Sequence, residues 1–361
     1  KSIEYYLQEA ISSHPALHSL LPFIHFGCTS ADINNLAYGL MLFDSRKVLS
    51  DTLSDIITKL TEMSNQQAHL AMLARTHGQP ATPTTLGKEL YNFVARLKSQ
   101  LQAFNQCTIP GKFNGAVGNY NAHVVAYPDL DWPRISEKFV NSLGLQFNSH
   151  TTQIEPLDQL AAFMHHLIRI NTIIIDLSRD IWQYISMRYF TQQKKKSEVG
   201  SSTMPHKINP IDFENAEGNL GIANALAQHF ANKLPISRLQ RDLSNSTVQR
   251  NFGVVMGHSL LAYQNLQKGL QKLDVNQHQI RQDLDSQWQL LAEPIQMVLR
   301  ANGITDAYEQ LKSLTRGETI NQETLHQFIL ALDINQADKE RLLALTPANY
   351  IGLAAKLAQG N

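Results

Sequence analysis

The sequence predicts an all-α protein built on a bundle of long helices, and three observations lead to this fold class. Apolar residues recur at steps of three and four over stretches longer than the average helix of about 11–12 residues. Glycine (18) and proline (13) together are scarcer than the roughly 12% of average usage. Apolar residues make up 43% of the 361 residues and charged residues only 17%, so the chain can bury a large core.

The first two bundle helices are predicted from their caps and apolar stripes. We expect the first to begin at the hydroxyl and carboxylate caps of residues 29–32 and to continue to Met63. Its stripe includes Ile33, Leu36, Leu40, Leu49, Leu53, Ile56 and Leu60. The second follows Thr82, with Pro83 in its first turn, and carries a stripe that ends at Phe104.

Three more long helices are expected at about 156–185, 207–232 and 246–270. Between them, residues 107–128 are rich in glycine, asparagine and proline and predict turns with a short hairpin. Residues 191–206 form a polar loop that contains three consecutive lysines and a Gly-Ser-Ser-Thr run. This loop separates two long helices.

These patterns divide the chain into three parts. Residues 1–29 are expected to be the remnant of a truncated N-terminal domain, and residues 30–270 the central bundle with its loop 191–206. After residue 271 the helices become shorter, with breaks at Gly303, Gly317 and Pro347. Residues 271–361 are therefore expected to form a small C-terminal helical domain.

Composition excludes several classes of function. The chain has 31 basic and 31 acidic residues, so neither nucleic acid nor an anionic membrane is an expected partner. Two cysteines, Cys28 and Cys107, cannot build a disulfide framework, which favours a reducing cytoplasmic location. No uninterrupted apolar run approaches the roughly 18 residues of a membrane span. His165 and His166 lack further ligands at a metal-binding spacing, so we expect no metal and no cofactor.

Residues 200–210 carry the strongest motif, although a Gly-Ser-Ser run by itself is most often a linker. These residues read GSSTMPHKINP and resemble the signature loop of the fumarase/aspartase superfamily, G-S-S-x-M-P-x-K-x-N-P. Every fixed position of that motif is matched. Other stretches resemble motifs of the adenylosuccinate lyases, and most closely those of the bacterial branch. They are HFGCTSADINN at 25–35, RTHGQPATP at 75–83, TTQIEP at 151–156, QRDL at 240–243, STVQR at 246–250 and TPANYIG at 346–352.

The resemblance implies a β-elimination that releases fumarate from adenylosuccinate, giving AMP, and from the succinyl-carboxamide ribotide of purine synthesis. One group must take a proton from carbon, and a second must protonate the departing nitrogen. The resemblance assigns these roles to Ser201 as the base and His77 as the acid, and it implies that loop 191–206 is the catalytic loop. Histidine suits its role at neutral pH, whereas Ser201 needs activation, for example by loop N–H groups and the Lys207 ammonium. The alternative is that Ser201 only hydrogen-bonds the substrate carboxylate.

The resemblance also implies a set of binding residues and an assembly. Thr29 and Ser30, at a helix N-terminus, suit an anionic group of the substrate. Family positions around the succinyl group and the loop correspond to Gln153, Ser202, Lys207, Ile208 and Asn209. Nucleotide-binding positions correspond to Asn215, Arg241, Ser246, Thr247, Val248, Gln249 and Arg250. The family forms homotetramers whose sites take residues from three subunits. Family members also carry a further N-terminal segment, including a histidine, before the point that matches Lys1.

Two alternative functions remain open at this stage. The signature loop alone permits another lyase of the superfamily, such as argininosuccinate lyase, or a cycloisomerase. The stretches 151–156 and 246–250 favour the nucleotide substrate. A non-catalytic helical scaffold, such as the lens crystallins derived from this superfamily, is the second alternative. Intact His77, Ser201, Lys207 and Asn209 argue against it.

Overall fold

A computed structural model describes residues 1–193, 204, 207–307, 309 and 320–360. Within these ranges helices dominate, in agreement with the predicted all-α class. The few strands form three two-stranded pairs. The helices are α1 (Ser2–Ser12), α2 (Ser30–Gln66), α3 (Leu86–Gln106), α4 (Asn121–Ala126), α5 (Trp132–Ser142), α6 (Asp158–Ser186), α7 (Ile211–Lys233), α8 (Ser244–Gln249), α9 (Phe252–Gln271), α10 (Gln277–Asp285), α11 (Ala292–Ala301), α12 (Gln322–Ala331), α13 (Gln336–Leu343) and α14 (Ala354–Leu357). The strands are β1 (Ala71–Thr76), β2 (Gln79–Thr85), β3 (Pro110–Gly111), β4 (Gln146–Phe147), β5 (Phe190–Gln192) and β6 (Leu273–Val275), and 3-10 turns cover Pro15–Phe23 and Trp288–Leu291.

Helix α2 is the longest element, and its apolar stripe explains its length. The stripe from Leu49 through Leu53 and Ile56 to Leu60 is almost fully buried. Three- and four-residue steps keep these side chains on one helix face, so each new turn adds core contacts. Ile33 departs from the expected stripe because it is 47% exposed.

A β-hairpin that the sequence pattern does not predict precedes α3. Strands β1 and β2 pair antiparallel, with Thr76 opposite Gln79, so only His77 and Gly78 form the loop. Pro83, which we expected in the first turn of α3, lies in β2 instead, and the helix begins at Leu86. The register is irregular next to Pro83, and a proline can occupy such a position because no ladder hydrogen bond is demanded there.

Residues 107–128 do not form the hairpin expected for them. Within this stretch β3 instead pairs in parallel with β4, and α4 forms at 121–126. The fourth long helix begins at Ile211, after Pro210, rather than at 207. The fifth is interrupted near residue 250 and forms the separate helices α8 and α9.

The chain folds into two compact units, each assembled from separate stretches of sequence. Unit 1 comprises residues 1–53, 100–172 and 218–262, and unit 2 comprises 54–99, 173–217 and 263–361. Within unit 2, one hydrophobic cluster lies entirely in the C-terminal stretch; it includes Leu291, Ile295, Leu299, Leu325, Ile329 and Leu342. The cluster does not decide where domains begin and end, so the expected division at residues 29 and 270 stays a prediction.

Helix α6 is the one element of the described chain that is long and apolar enough to cross a membrane by length and composition. Half of its most apolar stretch is buried inside the protein. Ile170, Ile174, Leu177 and Ile181 show no exposed surface. These side chains are core residues. A central helix of a globular bundle is apolar for this reason, so it can also be long and apolar enough to meet the membrane criterion.

Candidate active site

The N-terminus of α2 carries Thr29 and Ser30, two of the predicted substrate-binding residues, which were expected to suit an anion. The Thr29 N–H donates to a carboxylate oxygen of Asp32 at 2.8 Å, which holds the first turn of the helix. Ser30 is exposed, and its hydroxyl oxygen accepts a hydrogen bond from the Arg241 Nη1 at 3.2 Å. The N-terminal end of a helix attracts anions through its dipole, so this end of α2 is suited to a carboxylate.

Gln153 lies next to the same arginine. Its side-chain Nε2 donates to the carbonyl of Ala116 at 3.1 Å, and its Oε1 accepts from the Arg241 Nη1 at 3.4 Å. Its backbone N–H donates to the side chain of Gln240 at 2.9 Å. Three predicted site residues from three distant stretches, Ser30, Gln153 and Arg241, therefore meet in unit 1.

A cleft of about 520 Å³ opens beside this cluster, entirely within unit 1. Four of the predicted nucleotide-binding residues line it: Arg241, Ser246, Gln249 and Arg250. Thr247 and Val248 belong to the same helix, α8, but are not among the lining residues. The cleft thus combines two guanidinium groups with hydroxyl and amide groups, which is a donor set suited to a phosphate.

The turn before α8 fixes where these side chains emerge. The carboxylate of Asp242 accepts hydrogen bonds from the backbone N–H and the hydroxyl of Ser244 and from the Arg238 N–H. The Ser244 hydroxyl is the main reason why the pKa of Asp242 lies below its usual value. A carboxylate that is charged and hydrogen-bonded at this turn holds α8 in place at neutral pH.

The α2 side of the cleft was not predicted from the sequence. Tyr38 and Met41 line it together with Asn34 and Asn35. Tyr38 packs edge-on against Phe252, with 5.4 Å between ring centroids. The spacing of Asn34, Tyr38 and Met41 could have indicated this side of the cleft, because steps of four and three residues place them on one face of α2.

His77 lies in unit 2 at the tip of the β1–β2 hairpin. His77 and Gly78 have φ values of 53° and 75°, the positive pair that defines a type I′ turn. This turn matches the right-handed twist of the two strands and leaves the imidazole exposed at the tip. His77 therefore contributes little to packing, and its exposed imidazole is accessible to a substrate.

The described part of the signature loop leads into α7. Lys207, Ile208 and Asn209 are exposed, and Asn215 is exposed on the first turns of the helix. Behind them, Asp212 forms a buried ion pair with Lys272 at 2.7 Å, which anchors the start of α7. Ser201 and Ser202 lie outside the described residues.

Gly118 lies where two loops of unit 1 approach each other, next to the Gln153 stretch. Its φ is +80°, and an added Cβ would lie 2.4 Å from the carbonyl oxygen of Thr151. We expect Gly118→Ala to destabilise the protein by about 1–3 kcal/mol, because alanine is strained at this positive φ and its Cβ would clash with the Thr151 carbonyl oxygen. Thermal unfolding is the measurement, with Gly257→Ala as the control because its Cβ would meet nothing within 4 Å. Equal melting temperatures for the two variants would contradict this account.

Comparison with known proteins identifies the family. Residues 2–226 match the family model described as Lyase, and residues 237–351 match the model described as Adenylosuccinate lyase C-terminal. Adenylosuccinate lyase of Legionella pneumophila is 55% identical over 99% of this chain and 79% of its own length. That of Escherichia coli is 52% identical over 98% of this chain and 78% of its own length.

Solved structures agree on the fold. A 3-carboxy-cis,cis-muconate lactonizing enzyme from Pseudomonas putida superimposes with a TM-score of 0.77 at 22% identity, covering 98% of this chain and 80% of that one. A β-carboxy-cis,cis-muconate cycloisomerase from Acinetobacter calcoaceticus gives 0.75 at 17% identity, covering 99% and 80%. The all-α long-helix fold is thereby confirmed, and the relatives of about 50% identity decide the family. The chain belongs to the adenylosuccinate lyases of the fumarase/aspartase superfamily.

Proposed function

We propose that this protein performs the adenylosuccinate lyase reaction of purine synthesis with His77 as general acid and Ser201 as general base. A base removes a proton from the carbon beside a succinyl carboxylate, the C–N bond breaks, and the acid protonates the departing nitrogen. The products are fumarate and either AMP or the purine carboxamide ribotide. The main support for this proposal is sequence identity. About half of the residues are identical to those of adenylosuccinate lyases over nearly the whole chain.

The exposed tip position of His77 supports its role as acid. A side chain at a two-residue turn can reach into a neighbouring site without losing core contacts, and imidazole can hold or release a proton near pH 7. Ser201 is assigned by the signature motif alone, together with Ser202. Lys207 and the loop N–H groups would stabilise the carboxylate-centred charge that develops during elimination.

In the proposed site, unit 1 would provide two subsites, one for the succinyl group and one for the nucleotide phosphate. Thr29 and Ser30 at the α2 N-terminus, together with the Gln153 amide that shares Arg241 with Ser30, suit the succinyl carboxylates. Arg250 and Ser246 in the cleft suit the nucleotide phosphate. Arg241 touches both Ser30 and Gln153 and also lines the cleft, so it would couple the two subsites.

A homotetramer with shared sites is the assembly we propose, with no nucleic acid or membrane partner. Large apolar side chains lie exposed on three long helices: Trp182, Ile222, Val254 and Leu261 are each 42–50% exposed. Apolar side chains on the outer faces of long helices favour packing against other copies of the chain. Both cysteines are free, which supports a reducing cytoplasmic location.

An absorbance assay tests the proposed reaction. The purified protein is mixed with adenylosuccinate, and conversion to AMP is followed in the ultraviolet. Argininosuccinate and carboxymuconate, added separately, test the alternative superfamily activities. Turnover of adenylosuccinate alone is the expected result, and turnover of either other compound without it would overturn the proposal. Folded protein with no activity toward any of the three would favour the scaffold alternative.

Arg250→Ala tests the phosphate subsite. Loss of a charge-assisted hydrogen bond to phosphate is expected to raise the KM for adenylosuccinate and the inhibition constant of AMP about ten- to hundredfold. The inhibition constant of fumarate should stay near that of the parent. Arg134→Ala, an exposed arginine on α5 of the same unit, is the matched control. Unchanged AMP inhibition in Arg250→Ala would remove this residue from the phosphate subsite.

A further inference from the structure

A buried ion pair lies directly beneath the cluster of Ser30, Gln153 and Arg241. Lys112 Nζ lies 3.0 Å from the Asp32 carboxylate, and the two side chains are 0% and 1% exposed. Neither side chain can touch a substrate at this burial. Burying two charges is costly, and an apolar pair of similar volume would often serve stability as well, so the pair needs another explanation.

Lys112 joins two loops through the remaining protons of its ammonium group. It donates to the Gln153 carbonyl at 2.6 Å and to the Gly115 carbonyl at 3.1 Å. With Asp32, these partners use all three N–H donors of the side chain. The ammonium therefore fixes the backbone of Gln153, whose amide side chain meets Arg241.

Asp32 joins the same loop to the N-terminus of α2. Its carboxylate accepts from the N–H groups of Thr29, Asn114 and Gly115 at 2.8–3.2 Å. Asn35, one turn further along α2, holds the Lys112 backbone by accepting from its N–H at 2.8 Å and donating to its carbonyl at 3.1 Å. Thr29, the 112–115 loop and Gln153 are thus held in one arrangement by two charges.

We propose that Asp32 and Lys112 are positioning residues for the fumarate half of the active site. They set the distance between the carboxylate-binding end of α2 and the Gln153 amide without contacting the substrate. The hydrogen bonds of the pair reach Thr29, the 112–115 loop and Gln153, whereas the phosphate-binding side chains Ser246 and Arg250 emerge around α8, which the Asp242 turn holds. Arg241 contacts Gln153 and also lines the cleft, so the nucleotide half should depend on the pair less strongly than the fumarate half does. This inference rests on the proposed function, because that function assigns the two halves.

Kinetics of Lys112→Met are the first test. Displacement of the Gln153 backbone by about 1 Å is expected to raise the inhibition constant of fumarate and to lower kcat, each about ten- to hundredfold. AMP inhibition should stay within about threefold of the parent. Lys138→Met, an exposed lysine on α5, is the matched control and should leave both inhibition constants unchanged.

The double variant Asp32→Asn with Lys112→Met separates positioning from charge burial. With no unpaired charge left in the interior, it should recover thermal stability relative to Lys112→Met. It still lacks the hydrogen bonds to Gly115 and Gln153, so fumarate inhibition should stay weak. Parent-like fumarate inhibition in the stable double variant would overturn the proposal, as would an equal loss of AMP and fumarate inhibition in Lys112→Met.

Backbone hydrogen exchange gives a readout that does not need activity. Amides at 113–116 and 151–154 should exchange faster in the double variant than in the parent, while α8 keeps its protection. Unchanged protection at 151–154 would overturn the positioning role. If the parent fails to release fumarate from adenylosuccinate, the proposed function fails, and the exchange result still decides whether the pair fixes these loops.

Discussion

His77→Asn is expected to lower kcat for fumarate release about a hundred- to ten-thousandfold while leaving the hairpin intact. Loss of one proton-transfer group typically has this effect. His77 has a positive φ of 53° and is followed by Gly78, also positive. Asn-Gly is the favoured pair for a type I′ turn, so the substitution removes the imidazole without straining the backbone.

Steady-state kinetics with adenylosuccinate measure this effect, and the melting temperature verifies the fold. His77→Ala should lose activity to a similar degree, but it also places a less suitable residue at positive φ. His69→Asn, which changes an exposed histidine just before β1, is the matched control and should keep parent kinetics. A kcat near the parent value in His77→Asn would exclude His77 as the general acid.

The long helices could be predicted because each has a stripe whose period is visible in one sequence. The bounds of α2 and α6 lie within a few residues of the expected ones, since their stripes are backed by hydroxyl, carboxylate and proline signals at the N-terminus. The β1–β2 hairpin could not be predicted in the same way. Pro80 and Pro83 argue against a strand, and only the irregular register makes room for the second of them.

The candidate site was predicted through motifs rather than through spacing. Ser30, Gln153 and Arg241 belong to three stretches far apart in sequence, and nothing in their periodicity indicates that one arginine contacts the other two. The Asp32–Lys112 pair is harder still to foresee. The chain has equal numbers of acidic and basic residues, and no local sequence pattern distinguishes the buried Asp32 and Lys112 from charged residues exposed to solvent.

Co-production of His77→Asn and Ser201→Ala chains is expected to restore activity that neither variant has alone. If each site takes these two residues from different subunits, random tetramers contain about one quarter of sites with both residues intact. Recovery from a near-zero background to about a quarter of parent kcat per site is therefore the expected result. Differently tagged chains, purified in tandem and weighed as intact tetramers, establish that hybrids have formed.

A second pairing controls for recovery by any other route. His77→Asn chains combined with a His77→Asn, Ser201→Ala double variant also form hybrids, but no site in them has an intact His77. These hybrids should stay inactive. If the first pairing stays inactive too, although hybrids are present, His77 and Ser201 act within one chain and the shared-site arrangement is wrong. Recovery confined to the first pairing would establish that an active site forms only where subunits meet, so assembly of the subunits would be a condition for catalysis.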